Sequence, residues 1–214
     1  MSTEPQEAAD GEEKGKRFEM LCGVVIALFA AVLAITDLAA GKYGDDELIA
    51  HNEKSGAYLW YQSKGIKETQ VEGQVDTLDT LVAAGSISPE QLPGVQELTA
   101  KLEAKVERYG KEKKEILLGS KAVGEANWAQ DVAGEMGRVT GAKEWEDRAN
   151  ALGEVGDIFD YSTFFLQLCL VMGAISLVLH VKGIQRTFFV SMILLGLAGT
   201  AFSVAAFLAA GQVP

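Results

Sequence analysis

The residue types that most often carry chemistry are few in this 214-residue chain and stand apart from one another. The histidines are His51 and His180, and the cysteines, Cys22 and Cys169, both lie inside apolar runs. No Cys or His pair has zinc-ligand spacing, and no loop has the alternating Asp/Asn pattern that calcium needs. A site built from carboxylates alone is the alternative, but solvated helix faces explain the acidic residues more simply. We therefore predict no catalytic residue, no metal site and no cofactor.

Polar residues inside the apolar runs are a second place to look for chemistry, because ionisable groups in lipid are rare and often functional. Asp37 lies three residues before the end of the apolar run Met20–Ala40. Gln167 lies one turn into the run Phe164–Val181, and Asp160 stands at the boundary of that second run. By depth, the three could cluster near one membrane interface. We favour a simple contact of Asp37 with headgroup water over a proton or cation relay, since nothing polar continues the path deeper.

Three apolar runs determine the predicted architecture. They are Met20–Ala40, Phe164–Val181 and Thr187–Ala210. At ~1.5 Å per residue, the last two are about 27 and 36 Å long as helices, enough to cross a hydrocarbon core of roughly 30 Å. The five-residue connection between them, residues 182–186, requires antiparallel helices in contact. We predict an all-α membrane protein with transmembrane helices at 17–40, 161–181 and 187–210, and a long-helix bundle or coiled-coil domain at 41–160.

Charge gives an expected orientation in the membrane. Lys14, Lys16 and Arg17 precede the first run, and Lys182 and Arg186 stand in the short connection. The positive-inside rule predicts that both places are cytoplasmic and that residues 41–160 are extracytoplasmic. That segment has 14 Lys and Arg against 23 Asp and Glu, a balance of −9, which disfavours nucleic acid as a partner. Residues 1–16 are predicted to be an acidic disordered tail rather than part of a cleaved signal peptide.

The inserted domain has helical periodicity throughout and no alternating β pattern. One long helix is expected from Asp45 to Val82, and Ser88-Pro89 is typical of the start of a second helix that ends near Leu118. We expect a short helix to carry Trp128, and one helix to run over Ala142–Val181. On the second helix an apolar stripe at spacings of 3 and 4 indicates the seam of a helical hairpin or coiled coil: Val95, Leu98, Leu102, Val106 and Tyr109.

Two sets of side chains are candidates for packing or recognition. Trp60 and Tyr61 are expected in the core of the helical domain, each facing a different helix because neighbours on a helix point about 100° apart; an aromatic ligand site is the alternative. Small residues at three- and four-residue spacing let transmembrane helices approach closely, either within one subunit or between subunits. These residues are Gly23, Ala27, Ala31, Cys169, Gly173, Ser176, Gly196, Gly199, Thr200 and Ser203.

Three local patches are similar to a known family. They are Lys42–Asp46, Trp60–Lys67, and Phe159–Ser162 at the entry to the closing hairpin. In these patches and in layout over Arg17–Ala210, the chain resembles the bacterial domain-of-unknown-function family 4337. The resemblance implies a three-pass protein of the bacterial cytoplasmic membrane, and it implies no activity, cofactor or catalytic residue.

Two functional hypotheses follow. The first is a non-enzymatic membrane scaffold or accessory protein that forms homo-oligomers or docks on a larger membrane complex. The second is a channel or transport component in which an acidic vestibule concentrates cations. The first is favoured because the spans contain no ring-forming charged residue other than Asp37.

Overall fold

The computed structural model describes residues 4–179 and 181–213, and these residues are mostly helical. The five α-helices are α1 (Glu4–Ala83), α2 (Leu92–Leu118), α3 (Ser120–Val123), α4 (Ala142–Val178) and α5 (Lys182–Ala210). A single 3-10 turn covers Glu125–Asn127, so Trp128 follows a helical turn instead of lying on a helix. The predicted all-helical class is confirmed; His180 lies outside the described residues.

The expectation of helix throughout the inserted domain is wrong at one place. Strands β1 (Asp131–Val132) and β2 (Glu135–Met136) pair antiparallel across a two-residue turn. Ala133 and Gly134 have φ values of 55° and 85°, which is the left-handed backbone that such tight hairpin turns require. The Asp131 carboxylate accepts a hydrogen bond from the Gly134 N–H at 2.6 Å and closes the turn.

Three stretches of helix are long and apolar enough to cross a membrane: Gly15–Ala83, Ala142–Val178 and Gly183–Ala210. This confirms the prediction of three apolar helices, although several predicted ends differ. Helix α1 begins at Glu4, inside the predicted disordered tail, because Glu, Ala, Gln and Lys are good helix formers and Pro5 suits a first turn. Helix α4 ends at Val178 and α5 begins at Lys182, so the whole of the predicted connection, residues 182–186, is helical.

The chain divides into two compact units. The apolar unit is Met1–Glu47 with Asn150–Pro214, and the polar unit is Leu48–Ala149. In the apolar unit, α4 and α5 are antiparallel neighbours. The Ser176 hydroxyl donates to the Gln185 carbonyl at 3.1 Å near the connection, and the Ser162 hydroxyl donates to the Gly199 carbonyl at 2.8 Å farther along both helices.

In the polar unit, α2 runs antiparallel to α1. Lys64 of α1 forms an ion pair with Glu112 of α2 at 2.5 Å, and Glu68, one turn later on α1, pairs with Lys113. Helix α2 begins at Leu92 rather than at Ser88, since the Ser88 carbonyl accepts the N–H groups of Gln91 and Leu92 in a turn that precedes the helix. These contacts, together with a hollow lined by Val75 of α1 and Val106 of α2, place the two helices antiparallel and side by side over about three turns of α1.

Candidate association surfaces

The small residues of α4 and α5 lie in the interior of the apolar unit. A Cβ on Gly196 would lie 2.3 Å from the Phe29 ring, and one on Gly173 would lie 2.6 Å from the Met192 sulfur. Ser176 and Ser203 are buried as well. The chain therefore uses these positions for packing within one subunit.

The small residues of α1 have different surroundings. Within the described part of the chain, a Cβ on Gly23 would meet nothing within 4 Å. Ala27 and Ala31 are exposed. At these three positions the structure shows no close helix packing within the subunit. Their role in association between subunits stays a prediction.

The polar groups in the apolar unit form local hydrogen bonds. The Thr36 hydroxyl is 2.9 Å from the Ser203 hydroxyl in the buried interior. Asp37 is exposed and accepts a hydrogen bond from the Thr163 hydroxyl at 3.1 Å. Gln167 is exposed too. The partner of Asp37 is thus a neutral hydroxyl, which suits a carboxylate that also reaches water.

The predicted seam on α2 is partly covered. Leu102 is buried, Val95 and Val106 are half-buried, and Leu98 is 47% exposed. Val106 lines a small hollow together with Val75 of α1. The seam is therefore used, at least at Val106, for packing inside the polar unit.

Trp60 and Tyr61 are both half-buried. The Lys113 ammonium of α2 lies 5.4 Å from the centre of the Tyr61 ring, a distance suited to a cation–π contact. One member of the pair thus faces α2, as the predicted arrangement requires. Whether Trp60 is a core or a recognition residue stays a prediction.

Sequence reasoning missed two buried glutamates on α2. Glu112 is 1% exposed, and its two carboxylate oxygens accept hydrogen bonds from Lys64 at 2.5 Å and from Arg108 at 2.7 Å. Burial alone would raise the pKa of Glu112, but the two cationic donors outweigh burial and lower that pKa. The ionised carboxylate therefore joins α1 to α2.

Glu115 is fully buried and holds the irregular segment between α2 and α4. One of its oxygens accepts the backbone N–H groups of Ala129 and Gln130 at 2.7 and 2.8 Å, and the other accepts the Ser120 hydroxyl at 2.7 Å. The Ser120 oxygen in turn accepts the Val139 N–H at 2.9 Å. A single side chain thereby organises a segment with little regular structure of its own.

A signal for Glu112 is present in the sequence. The apolar stripe, continued past Tyr109 at spacings of 3 and 4, runs through Glu112 and then Ile116, which is fully buried. A carboxylate at a seam position indicates a buried ion pair, since a lone charge would be costly there. The predicted stripe ends at Tyr109, one turn before Glu112, and so it does not include this buried carboxylate.

Among the residues that the structure describes, no group of three or more His, Cys, Asp or Glu side chains is placed to hold a metal ion. The chain matches the family "Domain of unknown function (DUF4337)" over residues 18–209. The chain belongs to the DUF4337 family. This match covers nearly the whole chain and confirms the resemblance carried by its three local patches. No curated protein and no solved structure matches this DUF4337 protein.

Proposed function

We propose that this DUF4337 protein is a non-enzymatic integral protein of the bacterial cytoplasmic membrane that self-associates or docks on a larger membrane complex. The observation that carries membrane insertion is the outer surface of the apolar unit. Large aliphatic side chains are exposed on all three of its helices, among them Leu28 at 62%, Val171 at 53% and Leu194 at 63%. Each apolar side chain left in water costs about 1.5–3 kcal/mol, and a lipid environment removes that cost.

The ordered structure of the polar unit supports a role in association. Its helices are held by buried ion pairs and hydrogen bonds, as at Glu112 and Glu115, so it presents defined surfaces. We expect these surfaces to lie outside the cytoplasm, where they would meet another copy or an accessory membrane protein.

The test is the mass of the purified full-length protein in mild detergent, after the micelle mass is subtracted. Self-association predicts a protein mass of at least twice the 22.9 kDa of one chain. A monomer that captures no membrane protein under the same extraction would count against this function. Ion conductance in reconstituted vesicles that Asp37→Asn abolishes would instead favour the channel hypothesis.

A further inference from the structure

We propose that one charge-free face of α1 in the polar unit is the self-association surface, and that its occupant is the same face of a second copy of this chain. This inference rests on the proposed membrane insertion and self-association. We call this surface the neutral face. Its exposed residues are Leu48, Asn52, Ser55, Leu59, Gln62, Ser63 and Ile66.

Three large aliphatic side chains form the centre of the neutral face. Leu48, Leu59 and Ile66 are 62%, 66% and 69% exposed. Leu59 follows Leu48 by eleven residues, and Ile66 follows Leu59 by seven. At about 100° per residue, each side chain points within roughly 20° of the direction of the one before it. Three aliphatic side chains thus form a straight row along the helix in a place where the polar unit itself does not cover them.

The neutral face lies on the side of α1 opposite the contacts with α2. Lys64 and Glu68, which pair with α2, are about 160° and 200° around the helix from Leu48. Over residues 48–77, the nearest ionisable residues on either side of the face are Lys67 and His51, at about 100° and −60°. A sector of about 160° therefore carries no ionisable side chain, although α1 is rich in charged residues elsewhere.

Charge indicates which partner covers this face. Residues 41–160 have a balance of −9, so two copies repel each other wherever their acidic surfaces meet. A basic partner would be drawn to the acidic surfaces, and the neutral face offers it nothing. Two copies can approach without like-charge repulsion when the neutral faces meet, and there each row of aliphatic side chains covers the other.

Membrane insertion also determines the geometry. Copies of one chain insert in the same orientation, and α1 is one unbroken helix over Glu4–Ala83, so the proposed contact joins two parallel α1 helices related by a two-fold axis. In such an isologous contact, each residue of the row meets its own counterpart. The neutral face therefore predicts contacts of Leu59 with Leu59 and of Ile66 with Ile66.

Single cysteine substitutions in native membranes test this pairing. Leu59→Cys and Ile66→Cys should each form a disulfide-linked dimer on mild oxidation, because matching positions fall within disulfide reach. Glu53→Cys is the matched control: it is exposed on the same helix but about 120° from Leu59. The parent chain, with Cys22 and Cys169 buried, supplies the background. Cross-linking at Glu53→Cys equal to that at the two face positions would overturn the proposal.

A charge-insertion variant gives an independent measurement. Leu59→Glu combined with Ile66→Glu should reduce the detergent mass to that of a monomer, and the helical circular dichroism should be unchanged because both positions are exposed. Lys67→Glu, just outside the face, should leave the mass as it is. An oligomer that survives the double substitution would overturn the neutral face and leave the proposed function standing. A monomeric parent chain would overturn the neutral face, and a monomeric parent chain that also captures no membrane protein would overturn both.

Discussion

Glu112 and Glu115 are three residues apart on α2 and are buried for different purposes. Glu112 accepts hydrogen bonds from two cationic side chains and joins two helices. Glu115 accepts backbone N–H groups and a hydroxyl, and so anchors a loop. Both carboxylates avoid the cost of burial because their oxygens are hydrogen-bonded.

Removing the Glu115 carboxylate should destabilise the polar unit. Glu115→Ala leaves the N–H groups of Ala129 and Gln130 and the Ser120 hydroxyl without their acceptor, at up to ~1–3 kcal/mol each before relaxation. We expect the free energy of unfolding to fall by about 3 kcal/mol and cleavage by protease to increase within residues 119–141. Glu103→Ala, at an exposed position of the same helix, should change it by no more than ~0.5 kcal/mol. Equal effects of the two substitutions would show that Glu115 is not an anchor.

Glu112 should make stability depend on pH in the acidic range. Its folded-state pKa is lowered below the ordinary value of 4.5, so its contribution is present above pH 4.5 and is lost as the pH falls through the folded pKa. Glu112→Gln should therefore be less stable than the parent at pH 7, and the difference should narrow below pH 4.5. Denaturant unfolding from pH 7 to pH 3 measures this, and a difference that stays constant with pH would contradict it.

Periodicity in the sequence could predict where such residues stand but not what they bind. The spacing that passes through Glu112 also marks a seam, and a Glu there indicates a buried partner. The partners of Glu115 are backbone groups of residues 129 and 130, whose position depends on the left-handed backbone of Gly119 and Gly124. Backbone donors have no residue-type signature, so this cluster could not be read from the sequence.

Helices could be predicted from the sequence where their apolar patterns are long. The apolar runs and the stripe on α2 predicted α1, α2, α4 and α5, whereas the one-turn helix α3 was not predicted. Their ends were less predictable, because helix formers such as Gln185 and Arg186 allow α5 to extend back through the expected connection. The pairing of α4 with α5 follows from their short connection, but the close approach of each glycine depends on the side chain opposite.

Gly199 and Gly23 test how closely the helices approach at each glycine. A Cβ on Gly199 would lie 3.0 Å from the Leu166 nitrogen and 3.1 Å from the Ser162 carbonyl oxygen, both of which are backbone atoms of α4. Gly199→Ala must therefore separate α4 from α5 and weaken the hydrogen bond from Ser162, at a cost of about 1–3 kcal/mol. Gly23→Ala has open space and should be neutral or stabilising. Thermal unfolding in detergent compares them; a loss at Gly23→Ala equal to that at Gly199→Ala would contradict the packing described.

At the scale of the whole molecule, composition and apolar runs predicted three apolar helices and a polar insertion. The neutral face of α1 was not predicted, because apolar residues at spacings of three and four indicate seams within a subunit. Leu48, Leu59 and Ile66 are eleven and seven residues apart, so they do not form such a pattern. Only the structure distinguishes a row of aliphatic side chains that the chain covers from one that it leaves exposed.

The orientation in the membrane decides which partners the polar unit can meet, and two exposed positions test it. Ser88 lies between α1 and α2, and Gly183 lies in the first turn of α5. If the positive-inside rule holds, Ser88→Cys should react with a membrane-impermeant thiol reagent in intact spheroplasts, and Gly183→Cys should react only after permeabilisation. The native thiols of Cys22 and Cys169 are buried, so they should stay unlabelled until the protein is denatured. The opposite labelling would place the polar unit in the cytoplasm, where the neutral face would meet copies of the chain on that side instead.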